Sequence, residues 1–365
     1  MPSAERALEP RARVPLAPLS TLGVGGDAAW FVRADTAADI AAAHRWCADR
    51  KTSLFVLGGG SNLVIADEGI DGLVVQMAVR GVDVVGDGRD TVLRAGAGEA
   101  WDDVVAATVA RGLAGFECLS GIPGSVGGTP IQNVGAYGQD VSNTLQDIAV
   151  FDRHTGQTLA MSAADCRFGY RMSRFKRDDA DRFVVCDVTF RLRPGPPTVT
   201  YPDVIAHLEK AGLTSPDVAA VRGAVLAIRR RKGMVLDASD PDTRSVGSFF
   251  MNPVVTAADH ARLASSSGDP APGFVLPGGE VKLPAAWLIE RAGFARGHVS
   301  GAVGLSTKHP LAIVNRGGAT ARDVLDFAGR IKRQVADRFS IMLRPEPVFA
   351  GFDPDNRDVQ YLREA

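Results

Sequence analysis

Two periods of apolar and polar residues alternate along this chain, and the switches between them mark short helices and strands in mixed order. Ile40, Ala43, Trp46 and Cys47 share one helical face, which predicts a helix over 36–51 with Asp35 or Thr36 as its N-cap. The apolar run Leu54–Leu57 reads as a strand, 58–62 as a turn without bulk, and Leu63–Ile65 as strand resumed. Further strands are expected at 73–75, 148–152, 183–192 and 311–314. Residues 82–97 alternate and turn through Gly86, Asp87 and Gly88, a hairpin signal. Apolar spacing predicts helices at 101–111, 218–232, 283–292 and Ala321–Phe339, the last with Thr320 and Asp323 as a capping pair. Residues 265–268 read as a loop, and the first ten or so as a loose tail. The pattern is α+β.

Length and composition narrow the class. At 365 residues two or three domains are expected, and 45% hydrophobic with 23% charged residues describes an ordinary globular core. A net charge of −1 argues against a nucleic-acid surface. No apolar run approaches the ~20 residues of a membrane span, and the opening segment has no apolar core of a secretory signal. Cys47, Cys118, Cys166 and Cys186 are scattered, and no histidines are spaced as metal ligands. A reducing cytoplasm without disulfides or metal fits that usage. Difficult chemistry would then fall to an organic cofactor.

The densest signal is SGIPGSVGGTPIQNVGAYGQD at 120–140. Gly121, Gly124, Gly127, Gly128, Gly135 and Gly138 fall within eighteen residues, where average usage of roughly 7% would give about one. Pro123 and Pro130 stiffen the segment, so it is no flexible linker. Gln132, Asn133 and Tyr137 bring groups able to hydrogen-bond a flat heterocycle. A rigid cradle for a large ligand is favoured over a purely structural loop. The turn at Gly58, Gly59, Gly60, Ser61 and Asn62 suits phosphate oxygens or, equally, a plain hairpin; it matches neither the dinucleotide fingerprint nor a Walker loop. Two such cradles suggest one extended ligand.

Three polar constellations follow. In FGYRMSRFK at 168–176, Arg171 is set among aromatics, either to fork a carboxylate or to stack on Tyr170 or Phe175. In SVGSFFMNP at 245–253, Gly247 presents Ser248 beside Phe249 and Phe250, as a proton donor rather than the nucleophile of a G-x-S-x-G elbow, or as a turn residue. In LRPEPVF at 343–349, two prolines fix Glu346, an acid or hydrogen-bond donor, or else the partner of Arg344. The basic run 229–232 suits the negative end of its helix or an anionic ligand.

In this order, with LGGGSNLV at 57–64 and KLPAAWLIERAGF at 282–294, these motifs resemble the UDP-N-acetylenolpyruvoylglucosamine reductases, the MurB family of peptidoglycan synthesis, from about residue 18 to 351. The resemblance implies an α+β fold of the vanillyl-alcohol-oxidase/p-cresol-methylhydroxylase type: two FAD-binding subdomains and a separate α+β substrate-binding domain. It divides the chain into a tail at 1–13, FAD-binding subdomain 1 at 14–80 plus 344–365, FAD-binding subdomain 2 at 81–235, and the substrate domain at 236–343. It implies FAD contacts from Leu57, Gly58, Gly59, Gly60, Ser61 and Asn62. Ser120, Gly121, Ile122, Pro123, Gly124, Ser125, Gly127 and Gly128 would line the flavin, with Gln132, Asn133, Ala136, Tyr137 and Gly138.

The implied reaction takes electrons from NADPH through FAD to the enolpyruvyl ether of UDP-N-acetylglucosamine, giving UDP-N-acetylmuramate. Hydride leaves flavin N5 for the terminal carbon, Ser248 supplies the proton, and Arg171 and Glu346 stabilise the charge that develops beside the carboxylate. Tyr201, Arg229, Lys232 and Asn252 match substrate contacts. Lys308 and His309 differ from the glutamine pair of some relatives, and Val348 stands where some members carry arginine, so none of the three receives a role. A cytoplasmic monomer acting on small molecules is expected. The alternatives are a sugar or alcohol oxidase of the same fold and a non-catalytic nucleotide-sugar-binding protein.

Overall fold

A computed structural model describes residues 8–86, 90–266 and 271–364. Residues 1–7 of the expected tail, Asp87 and Gly88 of the hairpin turn, and Ser267 and Gly268 of the expected loop lie outside the described residues. The chain forms two compact units. Of the described residues, one holds those from 8 to 14 with those of 28–60 and 71–235; the other holds those of 15–27, 61–70 and 236–364.

The first unit begins with a four-stranded sheet in the order Arg11–Pro15, Asp27–Ala34, Ile70–Met77, Leu54–Leu57. The last two strands run parallel. Helix Ala37–Arg50 joins that sheet's second and fourth strands. Thr36 caps it reciprocally with Asp39, and Ile40, Ala43 and Cys47 are buried, as the apolar spacing predicts. An antiparallel sheet follows, ordered Gln157–Ser162, Leu145–Asp152, Phe183–Pro194, Thr91–Gly96, Val82–Gly86. Helix Trp101–Ala110 buries Trp101 against Phe116 and Phe190, with ring centroids 4.8 and 5.9 Å away. Such aromatic pairs contribute roughly 0.5–1.5 kcal/mol each beyond the area they bury. This cluster lies beneath the segment that carries the glycine-rich stretch, since Trp101 Nε1 donates to the Leu119 carbonyl.

The second unit is built on helix Ala321–Phe339, capped by Thr320 and Asp323 as expected. Val324, Leu325, Ala328, Ile331 and Val335 are buried on its inner face. Lys332 is buried on the same helix, and its ammonium donates to the Tyr361, Leu362 and Glu364 carbonyls at the end of helix Arg357–Arg363. Two small antiparallel sheets complete the unit with one parallel pair, Val348–Ala350 beside Leu63–Ile65.

Three expectations are corrected. The tail ends before residue 11, because Arg11–Pro15 pairs at the edge of the first sheet. The stretch 54–65 is no hairpin: Leu54–Leu57 pairs within the first unit and Leu63–Ile65 with Val348–Ala350 in the second. By contacts, residues 28–60 group with 71–235, and 344–364 with 236–343. Finally, helix Ala257–Ser266 covers the first two residues of the loop expected at 265–268. The sequence pattern also missed helices Pro202–Lys210 and Arg357–Arg363.

Candidate functional site

In the first unit the two glycine-rich segments meet directly. A Cβ on Gly59 would stand 2.6 Å from Gly124 Cα, and one on Gly58 2.8 Å from Ser125 Oγ. Only hydrogen at these positions lets the two main chains approach so closely. The stretch from 120 is anchored from below. Gly121 N–H donates to Asp102 Oδ1 at 2.6 Å, and Asp102 is gripped at both oxygens by Arg222, at 2.6 and 2.9 Å. Burial alone would raise that carboxyl's pKa, but Arg222 and the Gly121 N–H outweigh it and hold the group below the usual carboxylate range. The fully buried Glu117 accepts from Gly115 N–H and Gln139, whose own oxygen accepts Cys118 N–H. Both ends of the stretch are thereby tied to one carboxylate.

Segment 168–176 is docked on this stretch by four side chains. Asn133 Nδ2 donates to the Gly169 carbonyl at 3.0 Å, and Arg171 Nη2 to the Gly135 carbonyl at 2.6 Å. Ser173 Oγ donates to the Ile131 carbonyl at 2.7 Å, and Lys176 Nζ to Gln132 Oε1 at 2.6 Å. At about 1 kcal/mol net per bond, the set is strong enough to fix the loop. Arg171 itself has φ of 52°, in the left-handed region, and its guanidinium lies 5.4 Å from the Tyr170 ring centre. The guanidinium thus lies over Tyr170 and is directed at the Gly135 carbonyl, with Asp140 Oδ1 at 3.9 Å.

Three of the four expected substrate residues form a second cluster in this unit. The Tyr201 and Tyr137 rings pack edge to face with centroids 5.3 Å apart. Arg229, almost wholly buried, donates to the Met234 carbonyl and lies close to the Tyr137 phenol. Its Nε is buried without a hydrogen-bond partner among the described residues. Burial pushes the guanidinium's pKa down, while Tyr137 and Asp102 push it back up. Burial also raises the Tyr137 and Tyr201 phenols, so both stay protonated at neutral pH. Lys232 pairs with Asp203 at 3.2 Å.

The remaining expected residues lie in the second unit. The run Leu57 to Asn62 is divided between the units after Gly60. Asn62 Nδ2 donates to the Glu346 carbonyl, and Val348 N–H to the Asn62 carbonyl. Glu346 N–H in turn donates to the Phe249 carbonyl, and Phe250 bridges Pro345. Ser248 and Glu346 therefore sit on adjoining backbone segments, whereas Arg171 belongs to the other unit. The Asn252 side chain accepts Ala285 N–H at the start of helix Ala285–Arg291, a capping task the sequence did not disclose.

The residues at both glycine segments fit a flat ligand with anionic oxygens. Main chain is exposed by glycine, a Cβ on Gly128 would meet nothing within 4 Å, and an unpaired guanidinium nitrogen is buried nearby, 3.5 Å from where a Gly121 Cβ would stand. Asp102, Asp140 and Lys176 carry this geometry but received no role from sequence, because their partners are distant along the chain.

Both glycine segments fall inside a match to a known domain. An FAD binding domain matches residues 28–162, and the C-terminal domain of UDP-N-acetylenolpyruvoylglucosamine reductase matches residues 240–350. The chain is 48% identical over 350 residues to the UDP-N-acetylenolpyruvoylglucosamine reductase of Thermobifida fusca, covering 93% of this chain and 97% of that one. The chain belongs to the UDP-N-acetylenolpyruvoylglucosamine reductase (MurB) family. It is 47% identical to the enzyme of that name from Mycobacterium tuberculosis, over 93% of this chain and 94% of the relative. The crystal structure of MurB from Thermus caldophilus superposes with a TM-score of 0.65 at 26% identity, over 94% of this chain and 99% of that one. Family membership makes the protein an FAD-dependent oxidoreductase. Its α+β flavin domain and separate C-terminal domain are those the sequence predicts. Among the described residues, no helix is long and apolar enough to cross a membrane.

Proposed function

We propose that this MurB-family protein uses NADPH to reduce the enolpyruvyl ether of UDP-N-acetylglucosamine, yielding UDP-N-acetylmuramate for peptidoglycan in the cytoplasm. The observation that carries the reading is the docking of the Arg171 loop onto the glycine-rich stretch, with the guanidinium bonded to the Gly135 carbonyl. When bound, FAD supplies two-electron chemistry, accepting the equivalents from NADPH and passing them to the alkene.

The chain's own residues do the rest. Gly58, Gly59 and Gly124 offer main-chain N–H groups to diphosphate oxygens and the ring edge, while the Gly121 N–H is spent on Asp102 and fixes the segment. Arg171 offers parallel N–H donors to the substrate carboxylate, a fixed charge where negative charge develops. Glu346 acts there as a hydrogen-bond donor, its backbone pinned between Pro345 and Pro347. Ser248 delivers the proton to the carbon beside the carboxylate. A serine hydroxyl is a weak acid, but a carbon that has just gained an electron pair is far more basic, so transfer runs downhill in tight geometry. Tyr201, Arg229, Lys232 and Asn252 serve the nucleotide-sugar end. Tyr201 is the most exposed of them.

The direct test is spectroscopic. Purified protein is expected to be yellow, to bleach with anaerobic NADPH, and to regain colour when the enolpyruvyl UDP-sugar is added without oxygen. A reduced flavin that recovers only with oxygen would mean an oxidase, and protein without affinity for FAD a binding module.

A further inference from the structure

The Ser248 hydroxyl lies 3.3 Å from His309 Nε2, its one hydrogen-bonding contact among the described residues. Both residues belong to the second unit, and the Phe249 N–H donates to the Leu311 carbonyl at 2.8 Å, setting their two segments side by side. The imidazole is carried by a short loop held at several points. The fully buried Ser306 Oγ accepts the N–H groups of Lys308 and His309, at 3.0 and 3.2 Å. Asp242 accepts both the N–H and the hydroxyl of Thr307, and Lys308 Nζ donates to Asp240 Oδ2. Ala312 N–H closes the loop on the His309 carbonyl at 3.2 Å. Eight residues from three segments thus fix one imidazole against one hydroxyl.

The direction of that hydrogen bond matters chemically. A serine has a single hydroxyl proton. If it donates to Nε2, the proton is committed to nitrogen and is turned away from any carbon. If Nε2–H donates to Oγ instead, the O–H is left to aim elsewhere, and the oxygen keeps a donor when its proton departs. Hydrogen bonds to ionised oxygen are roughly twice as strong as neutral ones, so this donor grows stronger as the proton leaves. Only the second arrangement is compatible with Ser248 giving up its proton.

We infer that His309 is a positioning residue for Ser248: its Nε2–H donates to Oγ, turning the Ser248 proton outward and stabilising the alkoxide that proton transfer leaves. The balance is simple. The Oγ–H bond breaks, a C–H bond forms on the carbon beside the carboxylate, and the alkoxide regains a proton from water through the imidazole or directly. The inference rests on the reading of Ser248 as proton donor given under Proposed function.

The test uses the FAD-loaded protein reduced by NADPH and then mixed, without oxygen, with the enolpyruvyl UDP-sugar. His309→Ala is expected to slow flavin reoxidation about 10- to 100-fold. His309→Gln, which restores an N–H donor, is expected to recover to within about threefold of wild type. His309→Ala added to Ser248→Ala is expected to cost nothing further, because His309 acts through Ser248. In ligand-free protein labelled with 15N-histidine, the Nε2 of His309 is expected at the frequency of a protonated nitrogen and to shift in Ser248→Ala. Wild-type reoxidation in His309→Ala, an unprotonated Nε2, or a double variant slower than Ser248→Ala by the full factor would each overturn the inference, the last by making His309 a direct substrate contact. A wild-type protein that the UDP-sugar fails to reoxidise would instead overturn the functional reading itself.

Discussion

Asp140 Oδ1 occupies the space that a side chain on Gly135 would need, and Arg171 Nη1 lies 3.0 Å from the same point. The Gly135 carbonyl is also the acceptor for Arg171 Nη2. Gly135→Ala therefore evicts a carboxylate and a guanidinium together. It should leave FAD bound and slow flavin reoxidation by the enolpyruvyl UDP-sugar at least about tenfold, a rise of roughly 1.4 kcal/mol in the barrier. Stopped-flow absorbance of the reduced protein checks this, and an unchanged rate would separate Arg171 from the reaction.

Gly59→Ala addresses the cofactor rather than the substrate. Its Cβ would meet Gly124 Cα, a main-chain atom that cannot rotate away, so one of the two segments must shift. Flavin affinity should fall by at least about tenfold, read as a smaller yellow fraction after gel filtration and a weaker titration with FAD. Wild-type affinity would mean the two segments do not jointly hold the flavin.

Much of this site was legible in the sequence because its signals are local. The capping pair Thr320 with Asp323 lies three residues apart and is seen as expected, and of Asp35 and Thr36 it is Thr36 that caps its helix, with Asp39 as its partner. The glycine stretch and segment 168–176 were each visible as unusual composition. Their docking was not, since the pairs Asn133 with Gly169 and Lys176 with Gln132 join residues 36 and 44 positions apart. The path after Gly60 was hidden for the same reason: one strand pairs with Ile70–Met77 and the next with Val348–Ala350, a choice made by tertiary contacts. His309 went unassigned because it departs from the glutamine pair of some relatives, and its contact with Ser248, 61 positions earlier, is visible only in the fold.

Asp102 gives the acid dependence a definite sign. Its folded pKa lies below its unfolded value, so the stability it contributes is complete above the ordinary carboxylate range and is lost as pH falls through the folded pKa. Melting temperature in the wild type should drop below about pH 4. Asp102→Asn should be less stable at pH 7 by roughly 1–3 kcal/mol and should show a shallower decline on acidification. Equal slopes in the two proteins would remove the Arg222 pair from the stability of the glycine stretch.

The four cysteines are free and buried, and burial pushes their thiols up, Cys47 and Cys186 to about 11 and Cys118 and Cys166 to about 12. Native protein should therefore resist a thiol-specific disulfide reagent at pH 8, and all four should react once it is unfolded. The folded pKa values are raised, so this contribution is present below the unfolded thiol pKa of about 8.5 and fades as pH rises beyond it. Rapid labelling of even one thiol in folded protein would contradict the burial.

Ser248→Ala, followed through the two half-reactions separately, bears most directly on the chemistry proposed here. Flavin reduction by NADPH should proceed as in the wild type, while anaerobic reoxidation by the enolpyruvyl UDP-sugar should slow by about 10²–10⁴-fold. Reoxidation at the wild-type rate would mean that the proton comes from elsewhere.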